Sequence, residues 1–340
     1  MDFWKPLDAK ELLPNGWEND ARHHLGIPLH PLGELNAIDY VMQAQGDVME
    51  MRLRSGSLLV QVVFNVFASY VFVRSLVLSS RMVYQRPGVL AGWCCLVQAA
   101  VGVVYTLTSL LVTMPGGPPC RQALWTAGFG IVLSSLCVGI TLLQKAYWAH
   151  HRNRWLLAIG ITLFIPQPLV TYMVWASPAI IVSTTGCISY YPSYLPWVKL
   201  ALDAPINIVF SVAFILVVYR QYLQFGSAAW ARLVRNGIRT MCLIVFSNLI
   251  CMFGVAFSVI GMLSEFFFIL DWVITSVLLV HHCTTMRASS SESDRSQLQS
   301  SERNSILRAD AITVEPARKP IFLLRRTTKS KCALRSRVAR

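Results

Sequence analysis

The chain is expected to be all-α, a seven-transmembrane-helix bundle with its N-terminus outside and its C-terminus cytosolic. Three observations carry that expectation. Of 340 residues, 54% are hydrophobic and only 14% charged, with a mean hydropathy of +0.50, and a soluble domain of this length needs far more charge to cover its surface. Long apolar stretches recur, each near the roughly 20 residues a helix needs to cross about 30 Å of hydrocarbon. The basic residues between those stretches gather on one side.

The stretches fall at about 57–79, 88–113, 121–144, 154–176, 199–222, 237–262 and 264–285. Seven in series are too many for the buried core of a soluble protein, and open sheet edges cannot lie against lipid, so helices are the economical reading. The first carries Asn65 at its middle. The third begins beside the turn Pro115-Gly116-Gly117-Pro118-Pro119. Pro166-Gln167-Pro168 breaks the fourth and is read as a kink; PQ-loop transporters carry two Pro-Gln pairs, and no second one occurs here. Pro205 interrupts the fifth, which also holds Asn207, while Asn248 sits in the sixth. The three asparagines are read as links between helices, each worth around 1 kcal/mol.

Short cytosolic loops retain Lys and Arg. Arg74, Arg81, Arg86, Lys145, Arg152, Arg154, Arg220, Arg232, Arg235 and Arg239 fall on one side; only Arg121 and Lys199 fall on the other. The first side is therefore cytosolic. No secretory signal is visible in residues 1–36, so the first span is expected to act as the targeting signal.

Three regions follow. Residues 1–56 form an extracellular segment with five basic and nine acidic residues. Its scattered apolar residues, such as Trp4, Trp17, Leu25 and Ile27, suit a cap on the bundle, but it is too short for a core of its own. Residues 57–286 form the transmembrane domain. Residues 287–340 form a Ser-rich cytosolic tail with thirteen basic against five acidic residues, read as disordered. The net charge of +13 is explained by a basic face toward anionic membrane lipids and needs no nucleic-acid partner.

Among nine cysteines, the topology leaves only Cys120 and Cys187 outside the membrane and the cytosol. Disulfides persist on that side, so the pair either bridges the mouth of the third span to the loop between the fourth and fifth, or stands as two free thiols. Cys283, at the inner end of the last span, is a candidate for palmitoylation.

On span count, orientation and the placement of Cys120 and Cys187, residues 57–286 resemble the G-protein-coupled receptor superfamily. The motifs of its rhodopsin-like class are missing. Where an acidic–Arg–Tyr triplet would end the third helix the chain reads Gln144-Lys145-Ala146, and the seventh span has Asp271-Trp272-Val273-Ile274-Thr275 instead of Asn-Pro-x-x-Tyr. In overall texture it looks more like seven-pass proteins of fungi. The resemblance implies a plasma-membrane receptor for an extracellular ligand, with a heterotrimeric G protein as partner facing Lys145, Arg232, Arg235 and Arg239.

Ionisable groups in hydrocarbon are costly and usually face a cavity or a partner. Asp203 and Asp271, with Arg121 and Lys199 at the same level, are candidates to line an outward pocket; the alternative is hydrogen bonding that fixes helix packing. The histidine pairs at 23–24, 150–151 and 281–282 lack the spacing of a metal site, and the seventh span has no lysine to hold retinal. No metal or cofactor is expected. No nucleophile and base are arranged for an enzyme. The rival to a receptor is a seven-pass solute transporter using Asp203 and Asp271, although the halves show no repeat.

Overall fold

The computed structural model describes residues 16–19, 21–24, 26–149, 154–225 and 228–285; side chains at 145, 148–149, 214, 217–225, 228–237 and 262 lie outside the description. His150, His151 and the tail from 287 to 340 therefore fall outside the described residues.

Among the described residues, seven helices are long and apolar enough to cross a membrane. A short helix, α1 (Ala37–Met42), is capped by the Asn36 side chain, which accepts from the Asp39 N–H at 2.7 Å. The first span is α2 (Val48–Gln85), nine residues longer at its start than expected. Its early start has a local cause: Asp47 caps the helix by accepting from the Met49 and Glu50 N–H groups, and Glu50 pairs with Arg54 one turn on. The second and third spans are α3 (Leu90–Leu111) and α4 (Cys120–Ala149). The fourth is split at Pro166 into α5 (Arg154–Phe164) and α6 (Gln167–Ala176), the break expected from its prolines. The fifth, α7 (Leu195–Phe225), carries Pro205 inside a continuous helix, so that proline does not interrupt it. The sixth is α8 (Ala228–Ala256), and α9 (266–285) completes the seventh after a 3-10 turn, Gly261–Glu265.

The third span is central. Of its most apolar window 61% is buried, against 17% for the fourth span, which lies at the periphery. Two glycines permit close approach at this core. A Cβ on Gly102 would strike the Phe72 ring, and one on Gly130 would strike the indole of Trp272. Phe72, Tyr105 and Trp272 thus pack together, with ring centroids 4.9 Å and 5.7 Å from Trp272. Buried polar side chains also tie neighbours. Asn65 donates to Ser109 at 2.6 Å and accepts from Tyr105 at 3.2 Å, and Gln98 donates to Ser134 at 2.8 Å. Outward faces remain apolar, with Val63, Phe67, Phe246 and Ile250 each more than half exposed. Such a surface suits lipid rather than water, as in a multi-pass membrane protein.

Two small antiparallel hairpins lie at one end of the bundle: β1 (Arg22–His24) with β2 (Ile27–Leu29), and β3 (Ala179–Val182) with β4 (Gly186–Ser189). The segment before α2 does cap the bundle there. Ala37 N–H donates to the Val112 carbonyl and Cys120 N–H to that of Leu35, while Tyr40 packs with Cys120, Ile181 and Cys187. At the other end the half-buried Cys283 has its sulfur 3.7 Å from that of Cys95.

Candidate functional site

The loop between the fourth and fifth spans folds as the β3–β4 hairpin because Ala179-Ile180-Ile181-Val182 supplies β-branched residues and Gly186, at φ +82°, supplies the turn. Every residue of both strands is buried. The hairpin is fastened at several points. Cys187 forms a disulfide with Cys120 at the start of α4, with Cα atoms 5.8 Å apart. Gln61 of α2 accepts from the Cys187 N–H at 3.1 Å and donates to its carbonyl at 3.3 Å. Glu265 accepts from the Ser189 N–H at 3.3 Å.

Beneath this lid lies a cavity of about 80 Å³. Six of the seven spans contribute to its wall. Most of that wall is apolar, with Ile131, Val132, Val170 and Phe268 among its residues, and the polar groups are few: Gln61, Tyr105, Ser189, Tyr191, Lys199 and Glu265. Apolar walls with sparse, fixed polar groups are the composition of small-molecule sites. Its volume is below that of a drug-sized pocket, about 300 Å³ or more, so a larger ligand requires the lid or the helices to move.

Below the cavity the polar groups form two connected sets. Lys199 and Asp203, one turn apart on α7, make an ion pair at 2.7 Å with side chains only 3% and 1% exposed. Asp203 also accepts from Gln167 at 2.8 Å and Ser135 at 3.3 Å, and Lys199 reaches the Ser135 hydroxyl at 3.2 Å. The break at Pro166 starts α6 at Gln167, whose side chain is fully buried against the pair. The third, fourth and fifth spans therefore meet at one carboxylate. One turn on, Asn207 donates to Asn248 at 3.0 Å, and Asn248 donates to Asp271 at 2.9 Å, linking the fifth, sixth and seventh spans. The second oxygen of Asp271 has no hydrogen-bond partner among the described residues. A cleft of about 10 Å³, room for one water-sized group, lies between the two sets, against Ser135, Asp203, Asn207 and Asn248.

The structure thus brings Lys199, Asp203 and Asp271 into neighbouring networks, but only Lys199 reaches the cavity wall. Arg121 is not brought to them. Its guanidinium pairs with Glu34 and lies 4.4 Å over the ring of Trp125. Lys145, Arg232 and Arg235 lie on described backbone with side chains outside the description, and Arg239 is exposed on α8. Sequence reasoning missed two features. One is the buried hairpin. The other is Glu265, although it is one of only three acids between residues 57 and 286. Burial holds the phenol of nearby Tyr191 above its ordinary pKa, and the Glu265 carboxylate pushes it the same way. Neither a protein-family model nor a curated protein matches the chain.

Proposed function

We propose that this chain is a cell-surface receptor that admits an extracellular ligand beneath the β3–β4 hairpin and passes the event to a cytosolic G protein. The observation that carries the reading is the roofed cavity whose wall comes from six of the seven spans. A ligand seated there touches nearly every helix at once, so it has different contacts in different helix arrangements. That differential affinity is the free energy that shifts a conformational equilibrium. The buried sets beneath the cavity support a route for the shift, since Lys199 touches both the cavity and Asp203. Asn207, Asn248 and Asp271 then join the fifth, sixth and seventh spans. With the hairpin end outside, the first turns of α8, which bear Arg232, Arg235 and Arg239, face the cytosol as the G-protein contact.

The transporter remains the competing reading, because a buried carboxylate network also suits a solute path. The two separate in one cell line. Changing Arg232, Arg235 and Arg239 together to Gln abolishes guanine-nucleotide exchange if the chain is a receptor, and leaves ligand affinity within a few-fold. Normal exchange in that variant, with solute uptake lost in Asp203→Asn, overturns the receptor reading.

A further inference from the structure

A second, larger cavity opens on the far side of the same wall. It holds about 360 Å³, between the hairpin, the start of α7 and the turn that joins α8 to α9. Its polar and aromatic lining includes Ser189, Tyr190, Tyr191, Trp197, Ser264 and Glu265. Ser189, Tyr191 and Glu265 belong to both cavities, so this vestibule and the inner cavity share one wall.

The charges there are one-sided. Among the described residues, no Lys or Arg lines the vestibule. The one ammonium at the inner cavity, Lys199, lies 2.7 Å from Asp203 and is balanced by it. Glu265 has no such partner: it accepts from the Ser189 N–H at 3.3 Å and lies in none of the ion pairs among the described residues. Glu265 is thus the one acidic side chain among the described residues that line the two cavities. Three aromatic side chains, Tyr190, Tyr191 and Trp197, line the vestibule with it, and aromatic ring faces attract cations. Trp197 is braced edge-on by Phe257, with ring centroids 5.4 Å apart, and Tyr191 by Phe268 at 6.2 Å. A carboxylate beside fixed aromatic rings is the chemistry that holds an ammonium group carrying an apolar body.

We infer that the vestibule is the entry and recognition site for an organic cation, with its ammonium at Glu265 and its apolar part against Trp197 and Tyr191 or in the inner cavity. This deepens the receptor reading, and rests on it for the claim that the bound cation is the ligand that signals. A bound ammonium supplies the counter-charge that a buried carboxylate needs, and an anion or a neutral molecule of the same shape supplies none, which is the source of selectivity.

The test uses the purified full-length chain in phosphatidylglycerol nanodiscs, with binding followed by ligand-observed NMR. Benzyltrimethylammonium is expected to bind at least tenfold more tightly than N-benzylacetamide or benzenesulfonate. Glu265→Gln should weaken the cation at least tenfold and leave the neutral probe within twofold. Trp197 is 45% exposed, so Trp197→Leu keeps the fold and should weaken the cation several-fold even where the Glu265 variant fails to fold. Repeating the measurement in phosphatidylcholine nanodiscs separates two sources of the same chemistry. Loss of probe binding there, once the change seen for Glu265→Gln in the same two lipids is subtracted to remove the effect of surface charge, identifies a lipid headgroup as the occupant, and unchanged binding identifies a free amine. Equal affinity for the three probes, or retention of cation binding in both variants, overturns the inference. Cation binding without nucleotide exchange leaves the site standing and removes the receptor reading.

Discussion

The Lys199–Asp203 pair gives the sharpest quantitative expectation. Both side chains are almost wholly removed from solvent, where breaking a pair costs about 3–5 kcal/mol because one charge is left uncompensated. The two halves are not equivalent. Without Lys199, Asp203 still accepts from Gln167 and Ser135. Without the carboxylate, the ammonium keeps only the Ser135 hydroxyl. Asp203→Asn should therefore fall near the upper end of that range and Lys199→Met near the lower end. In the double variant the asparagine keeps a carbonyl for Gln167 and gains an amide N–H for Ser135. No charge is stranded, so its loss should be about 1 kcal/mol or less, as for other buried pairs replaced together. The coupling those figures imply, roughly 7 kcal/mol, is read from a double-mutant cycle of reversible unfolding in mixed micelles titrated with dodecyl sulfate. A double variant that loses the sum of the two singles would show that the pair is not the closed unit described.

Four further outcomes are expected. Cys120→Ser and Cys187→Ser should each cost about 2–5 kcal/mol, and the double variant should be little worse, measured by surface expression; additive losses would contradict the bridge. Asn248→Leu should destabilise by about 1–3 kcal/mol by removing the donor to Asp271, whereas Asp271→Asn should be neutral or slightly stabilising, both by the same unfolding assay. Gly130→Val should cost about 1–3 kcal/mol or more by driving a side chain into Trp272, whereas Gly56→Ala, with open space around its Cβ, should not destabilise. His30 is buried, its Nδ1 accepts from the Leu32 N–H, and burial lowers its pKa below 6.5. The unfolded chain then binds the proton more readily. Stability should hold above pH 6.5 and decline as pH falls below it, an effect that His30→Gln should reduce in pH-dependent melting.

The spans were legible because hydrocarbon thickness demands about twenty apolar residues and tolerates few charges. The disulfide was legible as a pairing but not as a contact. The fourth span's break was written in Pro166. Helix ends were less visible, although Asp47 followed by Glu50 is a capping pattern that marks the early start of α2. The Lys199–Asp203 spacing of one turn was also present in the chain, and it shows that these residues partner each other before either meets a ligand. Arg121 could not be placed from sequence, because its partner Glu34 lies 87 residues earlier. Glu265 was hidden for a similar reason. Its role comes from the hairpin that folds over it, and an apolar run as short as 179–182 does not by periodicity tell a buried strand from the end of the preceding span.

The most direct test of the receptor account is proximity labelling in intact cells, with the labelling enzyme fused after Arg340. The account predicts that a G-protein α subunit is recovered from the wild-type chain. Recovery should fall when Arg232, Arg235 and Arg239 are changed together to Gln. A labelled set without any G-protein α subunit, in cells where Asp203→Asn abolishes uptake of a solute, would contradict the account and establish a transporter in its place.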